Sequence, residues 1–229
     1  MNQLVNLMKK NKMTLVASLP KNDYDLAKAA WEHGADVIKL HINVTHNASK
    51  TVFGTLDQER PILERILKDS PIPVGVVAGD DPLKAERDIP LLANMGFDFI
   101  SLYGHHAPAS MIKRKDINFM YSINHTYTID EIKEIGRGDV ADIFELSIMA
   151  PDTYGERLTA RDITKYFIIC QNSKIPVLMP TQHLVYPIDV PILYKSGIKA
   201  IMIGAVCMGQ TVESVSSTTK AFKEAISRL

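Results

Sequence analysis

Residues 35–39, Ala-Asp-Val-Ile-Lys, recur in pattern three more times along the chain: Phe97-Asp-Phe-Ile-Ser101, Ala141-Asp-Ile-Phe-Glu145 and Ile198-Lys-Ala-Ile-Met202. Gly34, Gly96 and Gly197 stand just before three of the four copies. A glycine adopts the left-handed conformation that ends a helix without steric penalty, so each copy reads as a strand entered from a helix.

Short apolar runs alternate with amphipathic stretches outward from these copies. The runs predict strands at 14–19, 36–42, 73–78, 97–103, 118–123, 141–148, 175–180 and 199–204. Helices are predicted near 23–33, 58–68, 83–95, 109–115, 129–135, 160–172, 189–196 and 211–228, with a further short one at 3–10 closing the bottom. Asn22 is placed to cap the first of the eight, and Thr128-Ile-Asp-Glu131 has the form of a capping box. Eight such units in 229 residues predict one domain, a (β/α)8 TIM barrel of near-minimal size. An open doubly wound sheet is the alternative, but Leu19-Pro-Lys-Asn-Asp23 is not its glycine-rich first turn.

Aligning the repeats sets the register. Ile38, Leu40, Ile42, Ile100, Leu102, Phe144, Leu146, Ile148, Ile201 and Ile203 share one parity and form the helix-covered face. The other parity points inward and carries Lys39, Ser101, Glu145 and Met202 at one level, then His41, Tyr103, Ser147 and Gly204 nearer the C-terminal rim. Strands 2 and 6 face each other across a barrel, so Lys39 and Glu145 are expected to meet. Burial disfavours a lysine's charged form and an opposed carboxylate restores it, which suits proton exchange or attack on a carbonyl. The plainer alternative is a structural ion pair, although such pairs add little stability over apolar packing.

Six of the seven histidines, His41, His46, His105, His106, His125 and His183, fall at strand ends or in the loops that follow. Barrel active sites lie on that face. His41 points inward and joins Lys39 and Glu145 as a catalytic candidate, whereas His46, His106 and His125 read as ordinary loop histidines. Ser18, Asn43, Ser101, Tyr103, Ser122, Asn124, Ser147, Gln182 and His183 are candidate substrate ligands. Long loops at 43–56 and 149–159 are candidate lids. In the last unit, Gly204, Ala205, Gly209 and Thr211 form a candidate phosphate site, where a glycine and a helix start favour an anion; a simple capped turn is the competing reading.

The chain holds 26 basic and 26 acidic residues and 46% hydrophobic ones, with no basic block for nucleic acid. No run approaches the ~18 apolar residues of a membrane span. The start MNQLVNLMKK lacks a signal-peptide pattern, and Cys170 and Cys207 have no metal or redox spacing. A cytoplasmic enzyme with a small-molecule partner is expected, without cofactor or metal, and compatible with a homo-oligomer. A metal held by Asp80 and Asp81 with His41, Glu145 and His183 is a minority alternative.

Three stretches, Val16-Ala-Ser-Leu-Pro20, Leu26-Ala-Lys-Ala-Ala30 with Gly34-Ala-Asp-Val-Ile-Lys39, and Ala200-Ile-Met-Ile-Gly204-Ala205, resemble the ribulose-phosphate-binding barrels, particularly N-acylmannosamine-6-phosphate 2-epimerases. The resemblance implies proton transfer between a lysine and a glutamate, and Glu145 matches the family's glutamate. That family's lysine lies on strand 3, where this chain has Val74-Gly-Val-Val-Ala-Gly79; Lys39 stands where the family has an arginine, and Met179-Pro-Thr-Gln182 replaces its paired glycines. Related decarboxylases and hexulose-phosphate synthases carry Asp-x-Lys-x-x-Asp, which Asp36-Val-Ile-Lys-Leu-His41 does not match. The function expected is therefore an isomerase or epimerase, or an aldolase-like lyase using Lys39 as a Schiff-base nucleophile, acting on a small phosphorylated sugar or carbonyl compound. A non-catalytic metabolite-binding barrel is the competing class.

Overall fold

The computed structural model describes residues 3–229. Strands β1 (Thr14–Ser18), β2 (Val37–His41), β3 (Val74–Val77), β4 (Phe99–Tyr103), β5 (Asn118–Ile123), β6 (Ile143–Leu146), β7 (Val177–Pro180) and β8 (Ala200–Ile203) close in chain order into a parallel barrel. Around it lie α2 (Tyr24–Glu32), α3 (Leu56–Asp69), α4 (Pro82–Met95), α5 (Ile129–Gly136), α6 (Ala160–Gln171), α7 (Val190–Lys195) and α9 (Val212–Ser227), with α1 (Gln3–Lys10) beneath and the one-turn α8 (Ala205–Met208) after β8. This is a (β/α)8 TIM barrel.

The repeated aspartate has a structural job. Asp36 accepts the Leu15 amide at 2.9 Å and Asp142 the Phe119 amide at 2.8 Å, each fastening the lower end of one strand to its neighbour. Asp98 instead accepts the amides of Gln3 and Leu4, at 3.0 and 2.9 Å, and so pins the start of α1 under the barrel. Gly34, Gly96 and Gly197 have φ of 103°, 99° and 100°, as the helix-to-strand turns require.

Three local expectations change. The first cap is Asp23, whose side chain accepts the Leu26 amide, while Asn22 brackets the backbone of His41, donating to its carbonyl at 2.6 Å and accepting its amide at 3.2 Å. β1 has ended by that level, so the Asn22 amide takes the place of a neighbouring strand. The helix expected at 109–115 is a 3-10 turn, Ala109–Lys113, because only Met111 among residues 109–112 is buried and the segment has no apolar stripe to dock. The passage from 204 to 211 contains α8, a turn of helix between the last strand and α9.

Two apolar bodies make the core. One lies between strands and helices and includes Ile38, Leu40, Ile100, Leu102, Phe144, Leu146, Ile201 and Ile203, the parity read from the repeats. The other fills the lower barrel with Val16, Val37, Phe99, Met120, Ile143, Leu178, Ala200 and Met202, closed below by Leu4, Val5 and Met8. Phe99 occupies the space left by Gly75, where an added Cβ would meet its ring at 2.1 Å. The plug leaves only the upper barrel open.

Candidate active site

Above the plug lies a cavity of about 320 Å³ at the C-terminal ends of the strands. Lys39 from β2 and Glu145 from β6 meet within it, both about 95% buried, with Nζ 3.4 and 3.2 Å from the two carboxylate oxygens. Ser101 donates to Oε2 at 2.9 Å and Ser147 to Oε1 at 3.0 Å, so every oxygen of the carboxylate has two donors. Burial pushes the Glu145 carboxyl up, but the Lys39 ammonium and the two serines outweigh it and hold the group below its usual range. Glu145 thus rests as a carboxylate facing the Lys39 side chain.

His41 continues the inner face of β2 beside the pair, its ring stacked on Phe53 at 4.7 Å and 4.8 Å from His46. Burial, then the neighbouring His46 and Lys39, hold His41 well below the ordinary imidazole value, and its buried Nδ1 has no partner among the described residues. Burial and the Lys39 charge also bring His46 down to about 4. Both rings are neutral near pH 7. Across the cavity, burial together with Tyr154 and Glu145 raises the Tyr103 hydroxyl far above its usual value.

The cavity also gathers Ser18, Ser122, Gln182, Gly204 and Ala205 from the sequence-predicted set, with Ser101, Tyr103 and Ser147. Gln182 accepts the Met149 amide at 3.0 Å and donates to the Tyr154 hydroxyl, orienting a residue of the 149–159 loop over the site. The Gly204 amide donates to Thr181 Oγ1 at 3.1 Å.

Five predicted ligands lie elsewhere. Asn43 has φ of 53°, which breaks the alternation of β2 and turns its amide to Ala78 O and Asp88 Oδ2, at 3.3 and 2.8 Å. Asn124 accepts from Thr126 and borders a separate open cleft with His105, Tyr121 and Tyr127. His183 spends both ring nitrogens, Nδ1 on Asp162 and Nε2 on Thr153, each at 3.0 Å. Gly209, with φ of 68°, closes α8, and Thr211 caps α9 by accepting the Ser214 amide. The phosphate candidate is therefore reduced to Gly204 and Ala205.

His46, read from the sequence as an ordinary loop histidine, and Tyr154, not singled out there, both line the cavity, as does Thr181. The alternation in Val44-Thr-His46 and Thr51-Val-Phe53 was a signal for His46, because residues 43–54 form a hairpin folded over β2, with Thr45 paired to Val52. Tyr154 had no such signal. Among the described residues no three His, Cys, Asp or Glu side chains converge to hold a metal ion. Asp81 caps α4 through the Leu83 and Lys84 amides and His183 is held by Asp162, which removes two ligands of the metal alternative. Among the described residues, no helix is long and apolar enough to cross a membrane.

The barrel is shared with many solved structures. Phosphoribosyl anthranilate isomerase from Thermus thermophilus is 12% identical, with 94% of this chain and 99% of that one covered and a TM-score of 0.68. Tryptophan synthase from M. tuberculosis is 9% identical, covering 96% and 98%, with a TM-score of 0.71. Thiamine phosphate pyrophosphorylase from Pyrococcus furiosus is 15% identical, covering 95% and 97%, with a TM-score of 0.64. At these identities the likeness is one of fold. No protein-family model matches the sequence, and no curated protein matches it.

Proposed function

We propose that this barrel is an isomerase or epimerase that moves a proton beside the carbonyl of a small phosphorylated sugar or related compound. The observation that carries the reading is the Lys39–Glu145 pair, an acid and a base facing each other in a cavity of substrate size. A substrate entering between them separates the two charges. The carboxylate then loses the Coulombic contact that keeps it weakly basic, and its proton affinity rises where a C–H proton is presented. Lys39 is positioned to return a proton from the opposite side.

The inner positions of β3 are Gly75 and Val77, so an epimerase-like lysine and glutamate pair is built here from β2 and β6. Support for a phosphate comes from Gly204. Its φ of −136° is ordinary, and the nearest protein atom to an added Cβ is 3.8 Å away, so neither backbone nor packing requires a glycine. The missing side chain leaves room beside the first-turn amides of α8, a place that suits an anion. Two neighbours in fold also bear names of phosphorylated compounds, thiamine phosphate pyrophosphorylase and phosphoribosyl anthranilate isomerase.

The lyase variant uses the same lysine, the one amine lining the cavity among the described residues, but its Nζ is engaged by the Glu145 carboxylate at 3.2 Å and must leave it to attack a carbonyl. Deuterium wash-in from heavy water into a panel of aldose, ketose and N-acylhexosamine phosphates tests the proposal. Exchange at a single carbon is expected. Absence of exchange with every compound that binds leaves a binding protein, and borohydride trapping of a carbonyl compound on Lys39 would instead establish the lyase.

A further inference from the structure

We infer that His46 is a catalytic hydrogen-bond donor, presenting a neutral imidazole Nε2–H to the substrate's carbonyl oxygen, and that Ser49 is the positioning residue that fixes this tautomer. The inference rests on the proton-transfer reading and names the group that would stabilise its intermediate.

The tautomer follows from hydrogen-bond direction. The Ser49 backbone N–H, which can only donate, points at His46 Nδ1 from 3.3 Å. Ser49 Oγ lies 2.8 Å from the same nitrogen and itself accepts the Thr51 amide at 3.3 Å, so its own hydrogen is free to go to Nδ1. A nitrogen that accepts two hydrogens carries none. In the neutral ring the proton is therefore on Nε2, which has no protein partner among the described residues and belongs to the edge turned away from Ser49.

Neutrality has separate causes. His46 borders the cavity, where burial and the charges of Lys39 and Lys50 disfavour protonation more than Glu145 favours it, and the adjacent His41 is neutral too. The ring is also held in place. The His46 amide donates to Thr51 O at 2.9 Å and its carbonyl accepts the Lys50 amide at 2.8 Å, while Gln210 donates to Ser49 O at 3.4 Å and ties the hairpin tip to the segment after α8.

In the reaction, Glu145 removes the proton from the carbon next to the carbonyl, and the C–H electron pair becomes the new C=C bond. The carbonyl π pair moves onto oxygen, where the Nε2–H of His46 hydrogen-bonds the developing charge without giving up its proton. Lys39 then protonates the carbon from the other face, the enolate collapses to the carbonyl, and solvent exchange returns one proton from Glu145 to Lys39. A neutral donor suits this role because an imidazolium would hand its proton to the enolate.

The test joins two readings on the full chain. Nitrogen-15 spectra of histidine-labelled protein are expected to give His46 as the Nε2–H tautomer from pH 8 to about 5, and Ser49→Ala is expected to mix the tautomers. On whichever sugar phosphate the wild type exchanges, His46→Ala should lower kcat about 100-fold with KM little changed, and His46→Gln, which keeps a neutral N–H, should recover most of that loss. An Nδ1–H or charged His46 near pH 7, or a His46→Ala variant that exchanges at the wild-type rate, overturns the inference and leaves the proton-transfer reading standing. A wild type that exchanges no compound overturns that reading, and this role with it.

Discussion

Lys39 and Glu145 reach each other from facing strands, Nζ lying 3.2 Å from Oε2, with the carboxylate's remaining acceptor sites filled by Ser101 and Ser147. Removing one partner strands a buried charge. Lys39→Met or Glu145→Gln alone is expected to destabilise the protein by about 3–5 kcal/mol, whereas the double variant, whose amide can accept from one serine and donate to the hydroxyl oxygen of the other, should recover most of that loss. Urea unfolding measures all three, and additive losses in the double variant would contradict the pairing.

The Phe99 plug makes a sharper packing prediction. Gly75→Ala places a methyl about one bond length too close to the ring, with the nearest approach at 2.1 Å. A loss of about 1–3 kcal/mol or more is expected, recovered in part by Phe99→Leu in the same chain. An unchanged urea midpoint for Gly75→Ala would mean that the lower barrel is not filled in this way.

At Gly204 the opposite holds. The nearest protein atom to an added Cβ is 3.8 Å away, so Gly204→Ala should change stability by no more than about 0.5 kcal/mol. It should nevertheless raise KM for a phosphorylated substrate, by about tenfold if the methyl displaces one hydrogen bond to the anion. A large stability loss with unchanged KM would assign the glycine to the fold.

Stability should also depend on pH in one direction. His41 and His46 are held below the ordinary 6.5, His46 at about 4, so below pH 6.5 the unfolded chain takes up protons that the folded one refuses. Glu145 is held below its ordinary 4.5, so its contribution is present above that value and is lost as pH falls through the folded value. The stability curve is expected to be flat between pH 6.5 and about 8, below the range where thiols titrate, and to decline toward pH 4. His46→Gln should flatten part of the decline, as urea midpoints at several pH values would record.

The barrel and the inner face of its even strands were legible because the Ala35-Asp-Val-Ile-Lys39 pattern repeats with its glycines and a period-two register survives along each strand. The repeated aspartate was visible too, but its role of fastening strand ends below the barrel emerges only once neighbouring strands are paired. Legibility failed where the period broke. Asn43 leaves the inner face through a single left-handed residue, and His183 is claimed by Asp162, an aspartate 21 residues earlier in the chain. Tyr154 comes from a loop whose return over the cavity is a property of the closed barrel, so nothing near it in sequence marks it as inward-facing.

The central claim is that Glu145 and Lys39 move the proton. Its most direct measurement is the rate of deuterium incorporation from heavy water into the exchanging sugar phosphate for the wild type, Glu145→Gln and Lys39→Met, each verified as folded by circular dichroism. Loss of exchange by about 100-fold or more in both variants is predicted. Exchange at the wild-type rate in folded Glu145→Gln would contradict the account.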